Sequence, residues 1–250
     1  MRNFSLGSFI LLICVALTGF KPDVKNASRD FVKIREAYKK AGKLSMDMEY
    51  KVYQGHESDL LKEEHTGHYL KSGNDNLYME LFGTLTICNR EIKMVKDDSG
   101  KVVLLTKPVP EDTKQPLVDM EKMLQVCSQV TALPSSKMVK GYHLEFGDQI
   151  MEMKAVEVYF DTTTYLVQKV ILFYAKDVDV HPEYKWKGKK SETYKPRLEV
   201  EYQHINTNPV VSELKFSADK YIKKTNNKWK LQPALAKYQL LDQTTQSARP

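Results

Sequence analysis

The clearest hydrophobic pattern in the chain is an alternation of apolar and polar positions over residues 44–52. Successive side chains of a strand point to opposite faces of a sheet, so this alternation predicts a strand with one buried face. Immediately before it, over residues 30–41, apolar residues recur at helical spacing between Ser28 or Asp30 as a cap and Gly42 as a stop. That spacing predicts an amphipathic helix of about three turns.

Further strand-like stretches follow the first one, and the turns between them are short and polar, as at residues 72–75 and 97–100. Strands joined by such short turns run antiparallel, which predicts a meander. The strands predicted in this half cover residues 64–71, 77–81, 84–95 and 102–107.

A second helix is predicted over residues 117–130, where apolar residues return at helical spacing after the proline-containing segment 108–116. Strands then resume, and the tail from residue 219 contains enough apolar residues to pack back onto the sheet. Residues 241–250 are predicted to be a polar tail. The strands predicted in this half cover residues 142–146, 151–160, 165–174, 197–205 and 210–216.

These elements predict a mainly β (α+β) fold of nine or ten antiparallel strands, with residues 28–240 forming one domain. A sheet of that many strands must curl, and a curled sheet has a concave apolar face that something must fill. We therefore predict a curved antiparallel sheet or an unclosed β-barrel with the two helices packed in its concave face.

The N-terminus has the layout of a cleaved signal peptide over residues 1–19: Arg2, an uncharged apolar run over residues 9–17, and then small residues. The run is shorter than the about 20 residues that a membrane-spanning helix needs. Cys14 follows Ile13 rather than a small residue, so a lipid-anchored form is not expected. We predict export to the periplasm.

The formal net charge of +6 is spread along the chain, with one local excess of lysine around a tryptophan and a second around Trp229. An exported protein is not expected to meet nucleic acid. Indole at the interface and lysine near headgroups would suit a transient approach to a membrane surface, and a solvated loop is the alternative. The membrane-surface candidates are Trp186, Lys187, Lys189 and Lys190.

Catalytic and metal motifs are not found in the sequence. It contains no Gly-x-Ser-x-Gly elbow and no phosphate-binding glycine loop, and only 11 glycines in all. His65 and His68 are three residues apart on a predicted strand, so their side chains face opposite sides and cannot share a metal ion. We predict no catalytic residues, no metal and no cofactor.

Methionine and its apolar neighbours supply the candidates for a ligand cavity. Thioether side chains adapt to irregular apolar shapes and recur at surfaces that accept variable apolar ligands, although ordinary core filling is the alternative. The cavity candidates are Met46, Met48, Tyr50, Met79, Leu81, Met120, Met123, Leu124, Met151 and Met153. Cys88 and Cys127 remain after the signal, either as a disulfide or as buried thiols.

A resemblance to a known family lies in three segments. They are the opening helix running into the strand at residues 44–53, a stretch within residues 67–79, and a hairpin within residues 156–170. The residues that carry the last two are Gly67, Tyr69, Lys71, Asn76, Tyr78, Met79, Val156, Val158, Phe160, Asp161, Tyr165, Val167 and Val170. The layout resembles the LolA and LolB carriers of outer-membrane lipoproteins and the related regulators of the MucB and RseB type.

The resemblance implies an unclosed β-barrel draped over helices, with an apolar cavity that shields acyl chains and with no enzyme activity or cofactor. The resulting hypothesis is an exported, monomeric carrier in the cell envelope whose partners are acyl chains or lipoproteins. The alternative is an envelope sensing or scaffold module of the same fold that binds a protein partner. A hydrolase with a dispersed site is a third reading.

Overall fold

The fold was analysed on a computed structural model, which describes residues 22–109, 119–147, 152–179 and 192–244. The described helices are α1 (Pro22–Lys40) and α2 (Met120–Val126), with 3-10 turns at Glu213–Phe216 and Pro233–Leu235. Among these residues, we find no helix with the length and apolar character needed to cross a membrane.

Sixteen strands are present in the described ranges. Their bounds are β1 Lys43–Tyr53, β2 Leu61–Ser72, β3 Asn76–Leu81, β4 Thr84–Cys88, β5 Lys93–Asp97, β6 Val102–Thr106, β7 Cys127–Ala132, β8 Val139–Phe146, β9 Met153–Asp161, β10 Val167–Tyr174, β11 Val178–Asp179, β12 Thr193–Tyr194, β13 Arg197–Asn206, β14 Ile222–Thr225, β15 Lys228–Leu231 and β16 Gln239–Asp242.

Twelve of these strands form one sheet in the order β16-β6-β5-β4-β3-β2-β1-β13-β10-β9-β8-β7, and β11–β12 and β14–β15 pair as separate hairpins. Neighbours in the large sheet are antiparallel except β16, which pairs parallel to β6. The sheet is curved and unclosed, with β7 and β16 at its two edges. The predicted mainly β fold with helices on the concave face is confirmed.

Helix α1 covers the concave face with an apolar stripe. Ala27, Phe31, Ile34 and Tyr38 follow one another at intervals of three or four residues, so they share one side of the helix, and each is at most 2% exposed. They pack with residues of β1, β7–β10 and β13 into a cluster that we call the concave core. The alternation predicted for β1 is confirmed, because Leu44, Met46 and Met48 belong to this core.

A second cluster, the convex core, lies on the other face of the sheet over β4–β6. Ile87, Met94 and Leu105 lie directly opposite one another across these strands and are at most 1% exposed. The C-terminal segment covers them with residues such as Ile222 and Leu235. The predicted packing of the tail onto the sheet is therefore confirmed, and it occurs on the face that α1 does not use.

Both helices differ in extent from their predictions. Helix α1 begins at Pro22, so Ser28 and Asp30 lie inside it and do not cap it. Helix α2 ends at Val126, and residues 127–130 of the predicted helix belong to strand β7. The segment is a strand because it pairs with β8, and Val130 is its one buried residue.

Two predicted strand segments and the bounds of the predicted polar tail also need correction. Residues 84–95 form two strands, because the side-chain oxygen of Asn89 accepts hydrogen bonds from the backbone N–H groups of Glu91 and Ile92 and closes a turn. Residues 210–216 form no strand and end in a 3-10 turn that Ser212 caps. The predicted polar tail begins later, since β16 extends to Asp242.

The buried carboxylate of Asp30 attaches α1 to strand β8 through an ion pair and a hydrogen bond, and a substitution of Asp30 tests this attachment. It is 4% exposed and accepts hydrogen bonds from the Lys140 ammonium at 2.6 Å and the Tyr142 hydroxyl at 2.7 Å. We expect Asp30→Ala to lower the free energy of unfolding by about 2–4 kcal/mol, because it strands a partly buried charge and a buried hydroxyl. Urea denaturation at neutral pH measures the loss.

The matched control is Glu121→Ala, which removes the partner of Arg35. That ion pair is equally short, at 2.6 Å, but both side chains are substantially exposed. We expect it to cost at most about 1 kcal/mol. Equal losses in the two variants would show that burial of Asp30 contributes nothing to the attachment of α1.

Candidate ligand-binding site

Four of the predicted cavity residues fill the concave core. Met46 and Met48 of β1 are 0% and 2% exposed, and Met120 and Met123 of α2 are 7% and 3% exposed. All four belong to the cluster that contains α1. They therefore occupy the positions of core residues beneath the helix.

The other described cavity candidates are only half-buried. Tyr50, Met79, Leu124 and Met153 pack against the edge of the concave core. Leu81 is also half-buried and belongs to neither core. Met151 and the membrane-surface candidates Trp186, Lys187, Lys189 and Lys190 lie outside the described residues.

The register of β2–β6 brings further apolar residues next to Met79 and Leu81. One row of directly opposed residues on the concave face reads Tyr69, Met79, Thr86, Val95 and Leu104, and the next reads Gly67, Leu81, Thr84, Asp97 and Val102. The carboxylate of Asp97 is engaged in the following turn with Ser99 and Gly100. We call Met79, Leu81, Thr84, Thr86, Val95, Val102 and Leu104 the concave wing.

The concave wing differs from the opposite side of the same strands. Val95, Val102 and Leu104 are half-buried and lie in neither core, whereas their convex neighbours Met94 and Val103 are 0% exposed. The strands are thus held from behind by the convex core. Their concave side presents an apolar surface that the two cores do not use.

The turn between β3 and β4 places an aromatic ring at the rim of the concave wing. Phe82 has a φ of 51° and is 48% exposed, which is unfavourable for a bulky residue on both counts. Its ring lies 5.0 Å from that of Tyr50 and 4.7 Å from that of His65. Gly83 also has a positive φ, of 69°, so the two residues have the backbone signs of a type I′ hairpin turn, and this turn presents the Phe82 ring at the rim.

Two polar side chains of β2 lie on the concave face where the concave core meets the wing. Tyr69 is 1% exposed, and burial together with nearby Tyr38 raises the pKa of its hydroxyl. Lys71, two residues further along the strand, is half-buried, and burial lowers the pKa of its ammonium. The pattern used to select cavity candidates considered apolar residues alone, so it missed both.

The histidines of β2 lie on opposite faces, as predicted. His65 is paired with Tyr50 and faces the concave side, and His68 faces the convex side, where its ring is 2.7 Å from Asp47. The pKa of Asp47 is lowered, chiefly by His68 and further by His204. In the described ranges, no group of three potential ligands is arranged to hold a metal ion.

The two cysteines that follow the signal-like segment both lie at the concave core. Cys88 is buried within it, and Cys127 is half-buried at its edge.

A cavity of about 290 Å³ on the convex side has a different character. Its lining includes the carboxylates of Glu91, Glu213 and Asp219 and one face of Trp229, whose ring also packs in the convex core and carries Lys224 above it at 5.1 Å. A lining with three carboxylates does not suit a hydrocarbon chain. The apolar candidate site is therefore the concave wing.

Comparison with known proteins gives similarities of fold only. No protein-family model matches the chain, and no curated protein matches it. Solved structures do match. LprF from Mycobacterium bovis is 9% identical, with 75% of this chain and 95% of that chain covered and a TM-score of 0.38. A LolA superfamily protein from Nitrosomonas europaea is 9% identical, with 77% of this chain and 98% of that chain covered and a TM-score of 0.33. The complex of MucA and MucB from Pseudomonas aeruginosa also matches, at 11% identity, with 77% of this chain and 61% of that chain covered and a TM-score of 0.33.

Gly67 lies where the concave core meets the concave wing, and the close packing around it can be tested by substitution. A Cβ atom there would lie 2.8 Å from both the backbone oxygen of Glu80 and Cδ1 of Leu81, and 3.3 Å from Cε of Met48. We expect Gly67→Ala to lower the free energy of unfolding by about 1–3 kcal/mol, since the backbone must shift. Thermal and urea denaturation measure the effect.

Gly42→Ala is the matched control, because a Cβ atom at Gly42 meets nothing within 4 Å. We expect it to leave stability unchanged or to raise it by up to about 1 kcal/mol. A loss as large as that of Gly67→Ala would mean that crowding at the junction is not the cause.

Proposed function

We propose that this protein is an exported lipid- or lipoprotein-binding carrier that shields acyl chains against the concave wing and performs no catalysis. One observation carries the proposal. Convex residues of β4–β6 such as Met94 and Val103 are fully buried in a core of their own, while Leu81, Val95 and Leu104 on the concave side are half-buried and lie outside both cores.

The energetics of such a site need no covalent step. Each methylene group removed from water contributes about 0.8 kcal/mol, so an acyl chain lying over several wing residues gains several kcal/mol. Leu81, Val95 and Leu104 belong to three different strands and supply most of the apolar surface for it, with Thr84 and Thr86 of β4 between β3 and β5. Release then requires only a competing apolar site.

The proposed setting is the periplasm, with transient approach to a membrane surface. It is supported by the signal-like residues 1–19 and by the lysines around Trp186. The proposed cargo is an acyl chain or a lipoprotein. A module that binds a protein partner instead is the alternative outcome of the experiments below.

Binding of a neutral acyl probe tests the carrier directly. We expect the purified protein to bind the methyl ester of parinaric acid, measured by fluorescence titration, and to release lipid on organic extraction. Leu81→Gln should weaken probe binding about 5- to 30-fold, because it places a polar amide in the apolar contact. A protein-binding module would carry no lipid and would not bind the probe.

Leu214→Gln is the control for that substitution. It makes the same chemical change at a residue that is 79% exposed and lies in the 3-10 turn after β13, outside the concave wing. We expect probe affinity equal to that of the unaltered protein. Equal weakening in both variants would place the binding surface elsewhere.

Phe82→Asn separates binding from folding at the rim. Asparagine tolerates positive φ, and Asn-Gly is a favoured hairpin turn, so the variant should keep or raise the melting temperature. Loss of the exposed ring should nevertheless weaken probe binding several-fold. A variant that binds as well as the original protein would show that Phe82 does not contact the chain.

A further inference from the structure

The hydroxyl of Tyr69 is buried without a hydrogen-bond partner. The two other tyrosine hydroxyls of the concave core with recorded partners behave differently: that of Tyr38 accepts from the Val167 N–H, and that of Tyr142 donates to Asp30. A buried polar group without a partner costs about 1–3 kcal/mol, and native structures contain few of them. The Tyr69 hydroxyl can therefore still donate one hydrogen bond to an acceptor.

The ammonium of Lys71, two residues from Tyr69 on β2, also has hydrogen-bond donors for which the described residues supply no carboxylate. Lys71 is half-buried, and none of the described carboxylates lies within ion-pair distance of its ammonium. Lys140, which also lies at the concave core, is by contrast paired with Asp30 at 2.6 Å. Burial accordingly lowers the pKa of Lys71, since nothing in the described structure compensates its charge.

Tyr69 and Lys71 lie on the same face of β2. Residues two apart on a strand share a face, and their Cα atoms are about 7 Å apart. Tyr69 lies opposite Met79 of the concave wing, and Lys71 lies opposite Leu77. A protonated hydroxyl and an ammonium both donate, so together they match a group that only accepts and is negatively charged.

We propose that Tyr69 and Lys71 hold the anionic head group, a carboxylate or a phosphate, of an acyl-chain ligand whose chain lies over the concave wing. This proposal rests on the proposed function and names its ligand class. From β2 to β6 the wing spans four strand spacings, about 19 Å, which gives a long acyl chain room to extend away from the head group.

An unliganded site of this kind lowers the stability of the protein. The unpartnered hydroxyl and the half-buried charge are both unfavourable until an anion satisfies them. Replacing either group by an apolar one of similar shape should therefore raise the melting temperature while it weakens ligand binding. A residue with a purely structural role would not show these opposite changes.

The experiment compares parinaric acid, which carries a carboxylate, with its neutral methyl ester. We expect the original protein to bind the acid more tightly than the ester. Lys71→Met should weaken the acid about tenfold, leave the ester unchanged and raise the melting temperature, and Tyr69→Phe should weaken the acid several-fold with the same rise.

Lys62→Met is the matched control. It removes a lysine from the same strand, but one that is exposed and lies at the bulge near the start of β2, far along the strand from Lys71, so the net charge changes equally. We expect the acid-to-ester ratio to stay that of the original protein. An equal loss in both lysine variants would mean that net charge, and not the site, sets the preference, and would overturn the proposal.

Competition against bound parinaric acid distinguishes the sources of the anion. If oleate is the strongest competitor, the ligand is a free fatty acid. If lysophosphatidylglycerol is the strongest competitor, the ligand is a phospholipid. Either result supports the anionic site. Neutral monoolein competing as well as both anions overturns it. If the ester binds and Lys71→Met changes nothing, this inference fails and the carrier stands; if neither probe binds, the carrier itself fails.

Discussion

One helix cannot cover this sheet, and the arrangement of the rest of the molecule follows from that mismatch. Helix α1 has 19 residues and is therefore about 28 Å long, whereas twelve strands are separated by eleven spacings and span about 53 Å. The concave core accordingly extends from β7 only as far as Leu77 of β3 and Cys88 of β4. Strands β5 and β6 contribute no residue to it and must bury their apolar residues in some other way.

The chain resolves this by using the opposite face. The C-terminal segment packs Ile222 and Leu235 against the convex side of β4–β6, and β16 extends the sheet beside β6. This second core stabilises the wing without α1, so its concave residues are not required for folding to the same degree. Among the described residues, this division leaves an apolar surface outside both cores, with Tyr69 and Lys71 at its boundary.

Much of this architecture can be predicted from local periodicity, and the part that cannot depends on long-range packing. The alternation in β1 and the helical spacing in α1 identify their buried faces correctly. Periodicity over residues 127–130 fits a helix or a strand, and pairing with β8 decides between them. No local pattern indicates that the tail packs on the convex face. Met46 and Leu81 are therefore equally good cavity candidates in the sequence, although the structure gives them different surroundings.

For the proposed carrier, the one-sided nature of the wing limits the affinity for an acyl chain. A hydrocarbon lying on an open apolar surface loses water contact mainly on the side facing the strands, so it gains only part of the about 0.8 kcal/mol per methylene that full burial provides. An anionic contact at Lys71 then contributes proportionally more to affinity than it would in an enclosed cavity. Modest apolar affinity combined with a specific polar anchor suits a carrier, because a membrane or a receptor that competes for the head group is sufficient to release the cargo.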